Sequence, residues 1–316
     1  VRILDPLVVT TPAALQALRK PNRDPPRGLP GENIVSLAEE ANSNGEDGAA
    51  ELLHWRYRDG AVTAGPWNEV IATILGHRSV RAFLPDPLPE GTLERLVAAA
   101  SSASTSSNLQ TWSVVAVEDQ ARKDRLAELG SRQKHISECP LYLVWCVDHS
   151  RLHLAAQERQ MVLTGLDFLE PYIVGVVDAS LAAQNAAIAL ESLGLGFVYI
   201  GGMRNHPEEV AATLGLPAHV MALFGMCVGY PDPAKPADIK PRLPLEAVLH
   251  REQYSAAAQS AAFAEYDARL VEFQREQGMR ETPWTELATN RVHTAQSLNG
   301  RDRIREALNT LGFPIR

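Results

Sequence analysis

Cysteine is scarce in this chain, three in 316 residues, and Cys139, Cys146 and Cys227 show none of the spacings that hold a zinc ion. Each sits in or beside an apolar, strand-like run, Leu141-Tyr142-Leu143-Val144-Trp145-Cys146 being the clearest, so they read as buried reduced thiols. An excess of positive charge is also missing. Acidic side chains outnumber basic ones, 38 to 30, for a net charge of -8, and the scattered lysines and arginines argue against nucleic acid as a partner. Val1 to Thr10 hold no apolar core followed by a small-residue cleavage site, so no secretory signal is read there and a cytoplasmic location is expected. No G-x-G-x-x-G follows a strand and no G-x-S-x-G elbow occurs. Those absences argue against a Rossmann dinucleotide fingerprint and against serine-hydrolase chemistry. His149 and His153 have no carboxylate to complete a metal set and read as a solvated pair.

What is present is enough for a substantial core, with 45% hydrophobic residues. The length suits one large domain with extensions. Residues 1–66 are rich in breakers and polar residues and read as an arm. Two short helical patches, Pro12 to Lys20 and Ala49 to Arg56, are suited to dock on the body. The arm is expected to be dispensable for the chemistry, which falls in a domain over 67–316. There, helices are predicted from Trp67 and from Pro89. Strands are predicted over Trp112 to Glu118, Leu141 to Asp148, Phe197 to Ile200 and Val220 to Tyr230. Charged helices follow over Glu252 to Glu276 and Arg301 to Leu311, with a loop from Gly278 to Trp284. Ile173 to Leu193 is apolar around nearly its whole circumference. Asp178, Gln184, Asn185 and Glu191 interrupt it, and an aspartate in lipid costs roughly 2.5 to 3.5 kcal/mol. A central helix buried on all sides, with alanines that permit a tight core or a subunit interface, is expected and no membrane span.

Four segments carry candidate chemistry. His77-Arg78-Ser79-Val80-Arg81 concentrates guanidiniums, an imidazole and a hydroxyl directly after a helical run, a composition that suits a phosphate. Cations compensating a helix C-terminus would look similar. Lys240-Pro241-Arg242 adds charge in a proline-stiffened segment. Ser101 to Asn108 is hydroxyl-rich without glycine, and reads equally as a linker or as a set of donors for a polar ligand edge. Gly201-Gly202 closes a strand, either as an ordinary tight turn or as a place where backbone N–H groups approach a flat ligand. Beyond it, Asn205 is expected to cap a helix that opens with Pro207.

These motifs, together with Gln133-Lys134-His135, Ala183-Gln184-Asn185-Ala186, Glu191-Ser192-Leu193-Gly194-Leu195-Gly196, Tyr199-Ile200-Gly201-Gly202, Arg204-Asn205 and Lys240-Pro241-Arg242-Leu243-Pro244, carry a resemblance. From about Trp67 onward the chain resembles the NADPH-dependent, oxygen-insensitive nitroreductases and flavin reductases of the nitroreductase superfamily. The resemblance implies an α+β sandwich, a small mostly antiparallel sheet covered by helices, in an intertwined homodimer with FMN at the interface. It assigns the FMN phosphate to His77, Arg78, Lys240 and Arg242 with Ser79 nearby, and sets Arg81 beside the pyrimidine side as an electrostatic group. Thr105 (where relatives often carry serine), Ser106, Ser107 and Gln133 are assigned to the ring and ribityl chain. Tyr199, Ile200, Gly201, Gly202 and Arg204 also fall in the cofactor set, with the glycines toward the ring's N5 edge. Asn108 stands where relatives often have an aromatic and implies a more polar acceptor site. Arg275 and Arg280 fall where the family grips the extra phosphate of NADPH. The implied activity is transfer of two electrons from NADPH to nitroaromatics, quinones or free flavin by ping-pong kinetics. A flavin or metal-ion (ferric, chromate) reductase and a non-catalytic FMN binder stand as alternatives.

Overall fold

The computed structural model describes residues 46–59 and 65–316, so the expected helical patch Pro12 to Lys20 lies outside the described residues. Its helices are α1 (Glu46–Tyr57), α2 (Glu69–Leu75), α3 (Thr92–Ser101), α4 (Gln120–Leu129), α5 (Lys134–Glu138), α6 (Ser150–Glu158), α7 (Leu169–Ser192), α8 (Pro207–Leu214), α9 (Leu245–Val248), α10 (Gln259–Glu276), α11 (Trp284–Arg291) and α12 (Ile304–Thr310). The strands are β1 (Trp112–Val117), β2 (Leu141–Asp148), β3 (Gly196–Ile200) and β4 (Val220–Gly229). They form one four-stranded sheet in the order β1-β2-β4-β3, and every neighbouring pair is antiparallel.

Strand β2 is apolar almost throughout and buried along its whole length, as a strand covered on both faces must be. Its period of two sends Tyr142, Val144 and Cys146 to one core cluster and Leu141, Leu143 and Trp145 to the other. Leu126 of α4, Ile136 of α5 and Val210 of α8 close the first face. Leu96 of α3 and the alanines of α7 close the second. All three cysteines are free and buried.

Helix α7 corrects the expectation of burial on all sides. Ala179, Ala182, Ala183, Ala186 and Ala187 are 0% exposed, while Ile173, Val177 and Leu181 are 46%, 48% and 44% exposed. One face is therefore packed and the opposite i, i+4 stripe is apolar and open. By length and composition α7 would cross a bilayer, yet its small-residue face lies on the sheet and its Asp178 is 1% exposed.

Other differences are local. The helix expected from Pro89 begins at Thr92, after a left-handed Gly91. The C-terminal loop gives way to α11 at Trp284, and residues 301–303 form a 3₁₀ turn before α12. Asn205 does not cap α8: its amide donates to Ser131 Oγ at 2.8 Å and accepts from Arg301 Nε at 2.9 Å. His149 is 2% exposed and contacts the Pro171 carbonyl through Nε2, so it is not a solvated residue. Within 1–66, α1 packs on the body, where Leu52 joins Ala72 and Ile239 in a small apolar cluster flanked by Trp55 and Trp67.

Sheet packing is tightest at Gly225, where an added Cβ would stand 1.9 Å from Tyr142 Oη and 2.2 Å from its Cζ. Tyr142 is 0% exposed, so its ring is enclosed by the core. Gly225→Ala is expected to cost about 2 kcal/mol or more of stability, read as a shift of the urea midpoint. A wild-type midpoint would show that Tyr142 swings clear.

Candidate active site: a cation cradle and a carboxylate-held loop

Helix α2 opens on Asn68, whose Oδ1 accepts the Ile71 N–H at 3.0 Å, and it closes before the cationic motif. The chain then runs along the open edge of β3: Val80 N–H donates to Phe197 O at 2.8 Å, and Ser79 bridges Phe197 in parallel. Gly196 permits this approach, since a Cβ there would lie 2.7 Å from Val80 Cγ2. His77, Arg78, Ser79 and Arg81 thereby line one cavity of about 670 Å³ together with Lys240 and Arg242. The second cation segment is pinned by buried Ile239 and by the Tyr266 hydroxyl, which donates to Pro241 O at 2.9 Å.

Among the described residues, Arg78, Arg81, Lys240 and Arg242 make no ion pair. Burial lowers the pKa of Arg78, partly offset by Glu191 and Asp238. Lys240 is lowered by burial and then by Arg81 and Arg242. Cations clustered without an ion pair, with Asp238 the single carboxylate among the lining residues, make a site for an anion. His77 behaves differently: its Nδ1 meets Glu191 Oε1 at 2.7 Å and its ring lies 4.8 Å from that of Phe197.

The expected ring contacts divide. Gln133 and Gly202 do come together, because a Cβ on Gly202 would stand 3.1 Å from Gln133 Nε2 and 2.9 Å from the Gly130 backbone. The space that a side chain at Gly202 would need is taken by the Gly130 backbone. Ile200 is 2% exposed and packs in the core, so its side chain is removed from the candidate set. Tyr199, Gly201 and Arg204 line a second cavity of about 350 Å³ with Ser180, Gln184 and Phe224. Tyr199 lies edge-on to Phe224 at 5.3 Å. Arg204 donates to Leu223 O, and burial, then Arg291, lowers its pKa against an opposing pull from Tyr172.

The hydroxyl run is not beside the cradle. It leads into β1, at the opposite edge of the sheet from β3, and Ser106, Ser107 and Asn108 are exposed. Two of its residues hold left-handed backbone, Ser107 at φ 50 and Asn108 at φ 55, as does Gln110 just after it at φ 53. What holds them is Asp178. Its carboxylate accepts from Thr105 Oγ1 at 2.8 Å, Ser106 N–H at 3.1 Å, Thr111 N–H at 3.2 Å and Thr111 Oγ1 at 3.1 Å. The Thr105 hydroxyl also accepts from Gln110 N–H at 3.0 Å. Both of these bonds are internal to the chain. At the far side of the cradle, Arg275 grips Glu281 with two bonds of 3.1 and 2.8 Å, while Arg280 is exposed beside Met279, a residue of the cavity wall.

The Nitroreductase family model matches residues 74–230, and the Nitroreductase family C-terminal domain matches residues 240–316. The chain belongs to the nitroreductase family. Among its relatives, the oxygen-insensitive NADPH nitroreductase of Salmonella typhimurium is 40% identical over 218 residues, 68% of this chain and 88% of that protein. The FMN reductase (NADPH) of Bacillus subtilis is 38% identical over 228 residues, 71% of this chain and 91% of that one. The solved NfrA2 structure of B. megaterium superposes with a TM-score of 0.74 at 35% identity, covering 79% of this chain and all (100%) of the other. The NADPH:FMN oxidoreductase of Vibrio harveyi complexed with NAD+ gives 0.69 at 35% identity, with 79% and 100% covered.

Within this nitroreductase, reasoning from sequence missed three site residues. Asp178 registered only as an obstacle to a membrane span. Glu191, the partner of His77, lay inside a family motif without a role. Arg56, which lines the cradle cavity, fell in the arm. Removing the Asp178 carboxylate strands buried donors around Thr111, so Asp178→Ala is expected to cost about 3 kcal/mol in urea unfolding. A change under about 1 kcal/mol would show that water or another group replaces the carboxylate.

Proposed function

We propose that this chain is an FMN-dependent oxidoreductase that takes two electrons from NADPH and delivers them, by ping-pong kinetics, to nitroaromatics, quinones or free flavin. The observation that carries this is the cradle. Arg78, Lys240 and Arg242 converge on one cavity without ion-paired carboxylates among the described residues, charge enough for a single phosphate monoester. The sequence has no second fingerprint for a diphosphate. The names of the relatives, an NADPH nitroreductase, an FMN reductase and an NADPH-flavin oxidoreductase, support the same cofactor and coenzyme.

FMN, when bound, supplies the hydride chemistry, and the chain supplies binding, orientation and electrostatics. Arg78, Lys240 and Arg242 hold the phosphate, with His77 and Ser79 beside them. Arg81 provides fixed positive charge where negative charge develops, which lowers the barrier without reorganisation. Gln133 and the strand end at Gly201 offer hydrogen-bonding groups to a polar ring edge. Tyr199 and Phe224 give the second cavity an aromatic wall for a flat acceptor. For the extra phosphate of NADPH, Arg280 is open, whereas Arg275 takes part by exchanging Glu281.

The working unit in this reading is a cytoplasmic homodimer. Two observations support the dimer: the hydroxyl loop and the cradle lie at opposite sheet edges, and α7 leaves Ile173, Val177 and Leu181 open. A second copy covers the stripe and brings the loop of one protomer to the cradle of the other. Three free buried thiols suit a reducing compartment.

The purified protein is expected to be yellow, to release FMN on denaturation, and to bleach rapidly on addition of NADPH. Chromatography showing FAD as the main cofactor would exclude the reading, and retained colour with NADPH would make the protein a binder. Arg242→Ala is expected to weaken FMN binding by about 1.5 to 3 kcal/mol, measured by fluorescence titration. Unchanged affinity would leave Arg242 a surface cation.

A further inference from the structure

Helix α1 lies outside both family matches, which begin at residue 74 and end at residue 316, yet it reaches the cradle. Arg56 is 6% exposed and forms part of the cavity wall. Its guanidinium donates to Leu75 O at 2.7 Å, His77 O at 2.7 Å and Lys240 O at 3.0 Å. Its own carbonyl accepts the Arg242 N–H at 2.9 Å. One residue thus grips the backbone of both cation segments.

The chemistry of those contacts is specific. Leu75 O closes α2, where helix carbonyls lack intrahelical donors and carry partial negative charge, and His77 O follows just past its C-cap Gly76. No basic side chain lies in the last turn of α2, so a cation from a distant segment satisfies them. A planar fork serves two carbonyls through one nitrogen and a third through the other, a pattern that an ammonium does not reproduce. Burial, and then the neighbouring Arg242, lowers the Arg56 pKa to about 10.

The anchorage of α1 extends further. Arg58 pairs with Glu276 at 2.6 Å and lies over the rings of Trp55 and Phe273 at 5.6 Å each. Asp59 pairs with Arg269 at 2.8 Å. Helix α1 is therefore fastened to α10 as well as to the two cation segments, and Arg56 is not held by a single contact.

We propose that Arg56 is a positioning residue for the phosphate site, setting the separation of His77-Arg78 from Lys240-Arg242, and that α1 is a built-in part of that site. The inference rests on the FMN reading and reverses the expectation that the first 60 residues are dispensable. Arg56 already uses its fork on carbonyls, so its action is through the residues it holds.

The test is the ratio of FMN to riboflavin affinity in the full chain, because riboflavin is the same ligand without the phosphate. Arg56→Ala is expected to lower FMN affinity about tenfold or more and to leave riboflavin affinity unchanged. Arg56→Lys keeps the charge without the fork, so it shows a loss of the same kind and serves if the alanine variant does not fold. Arg269→Ala removes the pair with Asp59 that fastens the end of this segment to α10, at a residue outside the cavity lining, and is expected to lower thermal stability while keeping the wild-type ratio. An Arg56→Lys ratio equal to wild type, or an Arg269→Ala ratio that falls as far as that of the Arg56 variants, overturns the proposal. A wild-type protein that binds riboflavin as tightly as FMN overturns the phosphate reading itself and this proposal with it.

Discussion

Positive charges that repel one another keep their places in this protein because backbone carbonyls surround the central guanidinium. Carboxylates in the same positions would neutralise the cavity and leave nothing for an anion. Carbonyl oxygens satisfy the N–H groups of Arg56 while removing no net charge, so Arg78, Lys240 and Arg242 remain available around the same space. Much of the surrounding architecture serves this arrangement: β3 holds the first segment by its edge, Tyr266 holds the second at Pro241, and α1 links them.

The sheet imposes the second constraint. With β1 and β3 at opposite edges, no rearrangement within one chain carries the loop at 105–110 to the cradle without breaking strand pairing. Asp178 accepts two hydrogen bonds from that loop and two from Thr111 directly after it. Left-handed backbone at Ser107 and Asn108 costs energy that a plain linker would shed.

The strands were legible because apolar runs such as Leu141 to Cys146 have few other uses, and the cations because they cluster locally as His77 to Arg81. Burial by pairing was not legible. Asp178 meets its donors across 67 to 73 residues, and nothing near it in sequence signals them. Arg56 looked like part of a polar arm, since α1 has only a narrow apolar face and its burial depends on Ile239 and Lys240. Ile200 shows a finer limit: a period of two in β3 turns its side chain, with that of Val198, into the core.

The Arg56–Lys240 contact spans 184 residues, which bears on the order of events during synthesis. The N-terminal half of the bracket leaves the ribosome long before its counterpart, and closing so long a loop has an entropic cost that only the finished contacts offset. Arg56 reaches the carbonyls of Leu75 and His77 within the first part of the chain, but until Lys240 emerges the first cation segment has no fixed opposite wall. The cavity that both cation segments line is therefore complete only once the chain has been made through Met279.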